Sequence, residues 1–346
     1  MSFACMRSLV AGHAQLNQAL TISSGAGKTQ VLLTLLLAAQ LQPPHGLGKA
    51  AVYISTEAYL ATTRLLQLRS SHPALVALPD GERPSLSRIL CMQTSDLESQ
   101  EHILRYQLPV VIRQHDVGLV ILDSVAANYR AEFQVKGPNG AAASMAKRGT
   151  ELAQLGALLR GLARTERVAV VVANQVADRF TKPPTAAASN PASRTTSTNS
   201  QDNQHDHARQ QSNPPSQRDE SLLLSPDPLA LDHQQRWFTG WGDMRHEPPH
   251  TQKTPSLGLV WTNQLACRIA LLKLPVFTNR TLPQNGNATH QWTEEEEEEE
   301  EAHISKWRRW FKVVFATWAP PSEGRGTEFE IASSGVRHIA KINTKP

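Results

Sequence analysis

The chain has 346 residues with 35 basic and 31 acidic side chains, a formal net charge of +4 that does not by itself mark a nucleic-acid binder. Its three cysteines, Cys5, Cys91 and Cys267, stand far apart and form no CxxC pair, which excludes a sequence-evident disulfide framework or zinc site and fits a reducing compartment. No apolar run is long enough for a membrane span and the first residues lack the basic-then-apolar order of a secretory leader, so the expectation is a soluble intracellular protein.

Taken in chain order, residues 1–18 form a poorly defined remnant, and Ala19–Ile22 is a weak strand. Lys28–Leu41 is Leu/Ala-rich and long enough for three helical turns, and Ala51–Ser55 is a short, fully apolar strand. Ala61–Leu68 reads as a helix and Arg88–Met92 as a strand; Ser95 and Glu98 have the spacing of a capping box for a helix through Ile103. Val117–Leu122 and Val168–Ala173 are two further apolar strands, separated by a helix over Met145–Arg164 whose leucines recur on one side. Continuous apolar strands alternating with helices predict a parallel sheet covered on both faces.

Within 181–255 the stretch 181–220 is almost free of large apolar side chains and cannot bury enough surface to offset its ordering entropy, so 181–255 is expected to be a disordered polar insert. Beyond it, Cys267–Leu274, Trp310–Thr317 and Glu328–Ala332 read as consecutive strands, an antiparallel extension of the same sheet. The run Glu294–Glu301 falls in a Glu-rich loop at about 280–306, where like charges repel and keep it solvated; without it the remaining chain is clearly basic. Trp307, Arg308, Arg309 and Trp310 interleave aromatic and basic groups, a pattern that serves either base stacking or strand packing.

The sharpest motif is Ser24-Gly25-Ala26-Gly27-Lys28-Thr29-Gln30, opening a helix. A Gly-rich loop at a helix N-terminus aims backbone N–H groups at phosphate, with Lys28 placed for the β- and γ-phosphates and the Thr29 hydroxyl for Mg²⁺. Gly-Lys-Thr alone is weak, since an ordinary helix start can carry it. Three other polar groups raise its weight. Asp123 ends the strand Val117–Leu122 and is placed to hold Mg²⁺ through water; Glu57 follows Ala51–Ser55 and is placed to orient the water that attacks the γ-phosphate; Asn174-Gln175 follow Val168–Ala173, with Gln175 placed to report the γ-phosphate. Each has a bland reading as a cap, loop or turn residue. Their joint placement at one edge of a parallel sheet, where ligands bind, is far more specific than any member.

These motifs resemble the eukaryotic RecA-like recombinase paralogues, of the fungal Rad fifty-seven and animal X-ray-repair cross-complementing type. The match runs through SSGAGKTQ, AVYISTE, GLVILDSVA followed by YRAEF, VVVANQV, and GLVWTNQLACRI beyond the insert, covering roughly 20–180 and 256–338. The resemblance implies a RecA-like P-loop NTPase core over 19–180, completed by 256–340: a mostly parallel sheet with helices on both faces and antiparallel C-terminal strands. It implies ATP and Mg²⁺ as cofactors, with Ser24, Gly25, Ala26, Gly27, Lys28, Thr29 and Gln30 around the nucleotide. Thr29 and Asp123 would serve the metal, Glu57 would be the catalytic carboxylate, and Gln175 would link nucleotide to a DNA loop.

Two DNA-facing loops are also implied, one after Asp123 with Arg130, Lys136, Lys147 and Arg148, the other after Gln175 beginning with Arg179 and Lys182. Basic side chains there would make sequence-independent phosphate contacts. The implied partners are single-stranded DNA, a RecA-like recombinase and a second paralogue as heterodimer, in the nucleus. The leading expectation is an ATP-binding recombination mediator with slow DNA-dependent ATPase activity. A self-sufficient strand-exchange ATPase, a scaffold with a decayed nucleotide site, and an unrelated P-loop kinase remain alternatives. The sequence departs from the family at Ile22, where the phosphate loop should begin with Gly, and residues 1–18 hold no counterpart of the family's N-terminal helical domain; the expectation is that the start is truncated or misassigned.

Overall fold

In a computed structural model, residues 17–22, 25–133, 141–178, 253–278 and 303–339 are described. One ten-stranded sheet organises them, in the order β10-β9-β8-β7-β1-β5-β4-β2-β3, with β6 paired to β5 off this path. Strand β1 (Asn17–Ile22) lies between β5 (Ala169–Asp178) and β7 (Cys267–Thr278), parallel to both. Outward from β5 come β4 (Val117–Asp123), β2 (Ala50–Ser55) and β3 (Ile89–Gln93), all parallel. On the other side β8 (His303–Ala316), β9 (Thr327–Ala332) and β10 (Gly335–His338) follow β7 as an antiparallel meander. The expected antiparallel extension of a parallel sheet is therefore present.

The strands alternate their side chains between two cores, as a pleat of period two requires. Ala51, Tyr53, Leu119, Ile121, Val171, Ile269, Leu271 and Phe311 face one core. Val52, Ile54, Val120, Leu122, Val170 and Val172 face the other. The first core is filled by α1 (Lys28–Ala38), whose Val31 to Ala38 are all buried. A helix apolar all round must be covered all round. The sheet covers α1 on one side, and Leu65 and Leu68 of α2 (Thr62–Ser71), Leu75 of the short α3 (Pro73–Val76) and Val336 of β10 complete the cover. The second core takes α4 (Leu97–His102), a π-helical turn Ile103–Gln107, α5 (Leu108–Gln114), α6 (Val125–Phe133), α7 (Ala141–Thr165) and α8 (Gly258–Thr262).

Several boundaries differ from the sequence expectation, each for a local reason. The cap of α4 is Asp96, whose Oδ1 accepts from Ser99 N at 2.7 Å, not Ser95. Ser95 Oγ donates to Asp96 Oδ2 at 2.9 Å instead, and these donors, the Ser99 N–H first, hold the Asp96 carboxyl below its ordinary range. Strand β5 does not stop at Ala173: it continues because Val176–Asp178 pair antiparallel with β6 (Lys253–Pro255), in register Val176↔Pro255 and Asp178↔Lys253. The chain thus leaves for the polar insert and returns from it on adjacent strands, and closing a long loop at a pre-paired neck adds little entropy cost for each further residue. The insert itself and the run Glu294–Glu301 lie outside the described residues. Strands β7 and β8 extend to Thr278↔His303, longer than expected at the loop end. No helix among the described residues is long and apolar enough to cross a membrane.

Candidate functional site

At the C-terminal ends of β2, β4 and β5 the register sets Ser55 beside Asp123 and Asp123 beside Ala173. β1, which feeds the Gly-rich loop, is in register with β5 up to Ile22↔Gln175. This parallel alignment brings residues from four distant segments to one sheet edge. Lys28 opens α1 behind Gly27, whose φ of 107° lies in the left-handed region that only glycine adopts at low cost. A Cβ at Gly27 would stand 2.7 Å from Ile331 Cδ1 on β9, so the antiparallel extension packs directly against the loop.

Lys28 Nζ lies 3.7 Å from Asp123 Oδ1, both side chains largely buried. Tyr53 OH donates to Asp123 Oδ2 at 2.9 Å. Burial pushes the Asp123 carboxyl above its ordinary value and the nearby Glu57 charge adds to this, while Lys28 and the Tyr53 hydroxyl pull it down. Burial, followed by the charge of Asp123, raises the Tyr53 phenol far above its ordinary value, so Tyr53 stays a hydrogen-bond donor. Gln175 Nε2 donates to Glu57 Oε1 at 2.9 Å and to Ser124 Oγ at 3.3 Å. Thr56 ties β2 to β4 below them: its hydroxyl donates to Ser124 O at 2.8 Å and accepts from Ser124 N at 2.9 Å, and its amide donates to Asp123 O at 3.0 Å. Asn174 is fully buried; its Oδ1 accepts from Gln175 N at 2.8 Å and its Nδ2 has no partner among the described residues.

The structure therefore gathers Lys28, Asp123, Glu57 and Gln175, as the spacing of the strand ends implies. Thr29 is exposed at the first turn of α1, and Gln30 Oε1 accepts from Arg64 Nε at 2.8 Å. Ser24 lies outside the described residues, as do Lys136, Arg179 and Lys182. Arg130 is on α6 with its side chain undescribed. Lys147 and Arg148 are not in a loop after Asp123 but on α7, because the helix starts at Ala141. Lys147 pairs with Glu151 at 3.5 Å, and Arg148 Nη2 donates to Ser256 O at 2.8 Å across the neck of the insert. Trp310 is buried at 6 % exposure with Arg308 and Arg325 against its ring, so it is a packing residue and not a base-stacking one.

Two contributors escape sequence reasoning. Tyr53 is paired with Ile121, two positions before Asp123, so both side chains share a face on a diagonal within reach of a long side chain. That signal exists only once β2 and β4 are known to be neighbours. Arg64 reaches from α2 to Ala332 O at 2.6 Å and Ser333 O at 2.8 Å, locking Gln30 and the β9–β10 turn together.

Charge, donors and shape at this edge suit a metal-bound nucleoside triphosphate. A lysine stands where α1 begins, the place where a helix's first backbone amides lack intrahelical partners, and the Asp123 carboxylate stands beside the Tyr53 hydroxyl. A glycine keeps the loop open where a Cβ would collide with β9.

A family model described as Rad51 matches residues 20–195. The "DNA repair protein rhp57" of Schizosaccharomyces pombe is 38 % identical over 260 residues, covering 72 % of this chain and 61 % of that protein. The "DNA repair protein RAD57" of Saccharomyces cerevisiae is 28 % identical over 358 residues, covering 90 % of this chain and 72 % of that protein. The "DNA repair protein XRCC3" of Bos taurus is 38 % identical over 160 residues, covering 45 % of each chain. The chain thus spans about three-fifths of the length of the fission-yeast relative.

Proposed function

Because the chain belongs to the Rad51 family, we propose that it binds ATP with Mg²⁺ and acts in recombinational DNA repair as a mediator. It would help a recombinase assemble on single-stranded DNA, in the nucleus, as the heterodimeric partner of a second paralogue. The DNA-repair names of its relatives support the process. The observation that carries the nucleotide reading is the cluster of Lys28, Asp123, Glu57 and Gln175 at the end of α1.

In that reading Gly25, Ala26 and Gly27 present backbone amides to phosphate oxygens. Lys28 exchanges the Asp123 carboxylate for the phosphates, and Thr29 and Asp123 hold the metal's shell. The metal supplies charge neutralisation on the phosphates when bound. Glu57 is the acceptor for a proton of the attacking water, and Gln175 holds Glu57 through its 2.9 Å hydrogen bond. Glu57 is exposed, so its carboxylate is poised at the mouth of the site without a closed cavity around it. Slow turnover follows, since rate enhancement for phosphoryl transfer depends on a water-excluded, fully assembled cradle. Contacts of Arg130, Lys147, Arg148 and Arg179 with DNA belong to the same proposal; of these, Lys147 and Arg148 already have protein partners.

Ile22 favours a second reading, a scaffold that has lost nucleotide binding, because a loop that starts without Gly turns less readily out of its strand. One experiment separates the two. The purified chain is titrated with fluorescently labelled ATP, with and without Mg²⁺, beside Lys28→Ala. Mg²⁺-dependent binding that is lost in the variant supports the ATP-binding reading, and equal negligible binding supports the scaffold. The mediator role is tested by recombinase filament assembly on single-stranded DNA with and without the chain; no change in assembly rate or extent removes it.

A further inference from the structure

The face of the β7–β8 hairpin that looks toward the phosphate loop carries two cations side by side. Along β7, Cys267, Ile269 and Leu271 point into the core that holds α1, and Lys273 continues that alternation. Along β8, Val313 and Phe311 point into the same core, and Arg309 and Trp307 continue it. Lys273 and Arg309 are direct cross-strand partners. Like charges directly opposite on one face of an antiparallel pair destabilise a sheet. On the opposite face of β8, Arg308 has an acid partner, Glu328 of the neighbouring β9. On the loop-facing side, neither Lys273 nor Arg309 has a carboxylate partner among the described residues, and Arg309 Nε is buried with no hydrogen-bond partner there.

The position of the Lys273 ammonium is specific. It rests 3.9 Å from the centroid of the Trp307 ring, a cation–π seat that orients the side chain. It also lies 3.2 Å from where a Cβ on Gly25 would stand, so the ammonium sits directly against the loop. Gly25 is itself exposed, with a φ of 69°.

We propose that Lys273, seated on Trp307, and its cross-strand neighbour Arg309 form a second phosphate-binding element of the nucleotide site, supplied by this same chain beside Gly25. The inference rests on the ATP-binding reading above and adds to it a recognition element outside the Gly-rich loop. The chemistry recognised is the oxyanion of a polyphosphate. A nucleoside triphosphate is favoured over a nucleic-acid backbone because the seat adjoins the loop at the mouth of α1. An anion bound there also removes the repulsion between the two cations, so ligand binding and hairpin stability are coupled.

The test uses the full chain and measures binding of fluorescently labelled ATP, ADP and AMP, and separately of a labelled single-stranded oligonucleotide. Lys273→Ala, Arg309→Met, Lys273→Arg and Lys28→Ala are compared with wild type. The expected result is a rise in the ATP dissociation constant of about tenfold for Lys273→Ala and for Arg309→Met, the scale of a charge-assisted hydrogen bond. AMP should change little and Lys273→Arg should retain most of the affinity. Thermal midpoints without nucleotide should stay level or rise in Arg309→Met, which removes one of two repelling charges and keeps the Lys273–Trp307 contact; a loss of binding in Arg309→Met accompanied by a fall in midpoint, with the loss in Lys273→Ala unrescued by Lys273→Arg, overturns the proposal. ATP binding at the wild-type level in Lys273→Ala and Arg309→Met, with binding lost in Lys28→Ala, overturns it while leaving the ATP-binding reading intact. Loss of oligonucleotide binding alone reassigns the pair to a nucleic-acid backbone and also overturns it. No ATP binding by wild type removes both.

Discussion

Gln175 donates its side-chain amide to Glu57 at 2.9 Å although 118 positions separate them, and the same amide reaches the Ser124 hydroxyl. One group on β5 therefore touches the residues that follow β2 and β4. In the proposed ATP-binding reading, Gln175 is then a positioning residue and Glu57 the candidate base. Glu57→Gln is expected to lower ATP turnover by roughly 10²-fold or more while changing nucleotide affinity by no more than about twofold, because it removes a proton acceptor and keeps the shape. Gln175→Ala should cost less in basal turnover and should abolish any stimulation by single-stranded DNA. Phosphate release under saturating ATP measures both; equal turnover in wild type and Glu57→Gln would remove Glu57 from the chemistry.

Lys28 and Asp123 form a largely buried pair before any phosphate is bound. Among the described residues, Lys28→Ala leaves the carboxylate with Tyr53 as its remaining side-chain donor. The expected loss is about 1–3 kcal/mol at neutral pH, in addition to loss of nucleotide binding. Urea unfolding at pH 7 and under acid conditions measures it. The penalty should shrink on acidification, as the stranded carboxylate takes up a proton.

The raised Asp123 carboxyl gives the wild-type protein a pH dependence of defined sign. Between the ordinary aspartate value and the higher folded one, the native state holds more protons than the unfolded chain. Its contribution to stability is therefore greatest at low pH, falls as pH rises through that window, and is constant above the folded value. Asp123→Asn should flatten this portion of the profile. If Asp123 serves Mg²⁺ as proposed, the metal displaces the same proton, and Mg²⁺-dependent nucleotide binding should weaken on acidification at a pH above the ordinary carboxylate range. Thermal midpoints and nucleotide titrations from the ordinary aspartate range upward would show both effects. An unchanged profile in Asp123→Asn would assign the dependence to other groups.

Tyr53→Phe removes the hydroxyl that donates to Asp123 and keeps the ring in the core. A hydrogen bond to a charged group is worth about 1.5–3 kcal/mol, so the variant should lose up to that amount of stability. Its Mg²⁺ requirement for nucleotide binding should shift to higher concentration, because the carboxylate is no longer aimed. A stability loss with an unchanged Mg²⁺ requirement would leave Tyr53 as a packing residue only.

Gly27→Ala tests the loop's backbone. At φ 107° an alanine is strained by about 1–3 kcal/mol, and its Cβ would also meet Ile331 Cδ1 at 2.7 Å. Adding Ile331→Ala relieves the contact and not the dihedral. The double variant should therefore recover less than half of the lost stability, read by denaturant unfolding. Full recovery would show that steric contact with β9, and not backbone conformation, demands the glycine.

Local pattern carried much of this molecule. The continuous apolar runs at Ala51–Ser55, Val117–Leu122 and Val168–Ala173 declare buried parallel strands, and the Gly-Lys-Thr at 27–29 declares where the site lies, because strand burial and loop chemistry are properties of neighbouring residues. Polar residues just past the ends of such strands gather at one edge in any sheet of this kind, so Asp123, Glu57 and Gln175 were legible one by one. Strand order and register were not. Tyr53 reaches Asp123 because β2 lies beside β4 with Ser55 opposite Asp123, Lys273 reaches Gly25 because β7 lies beside β1, and Asp96, not Ser95, caps α4 because of where one carboxylate points. Those contacts join positions far apart in the chain or depend on a side-chain rotamer, and the energy that selects them is the packing of both sheet faces as a whole, a quantity no short window of sequence contains.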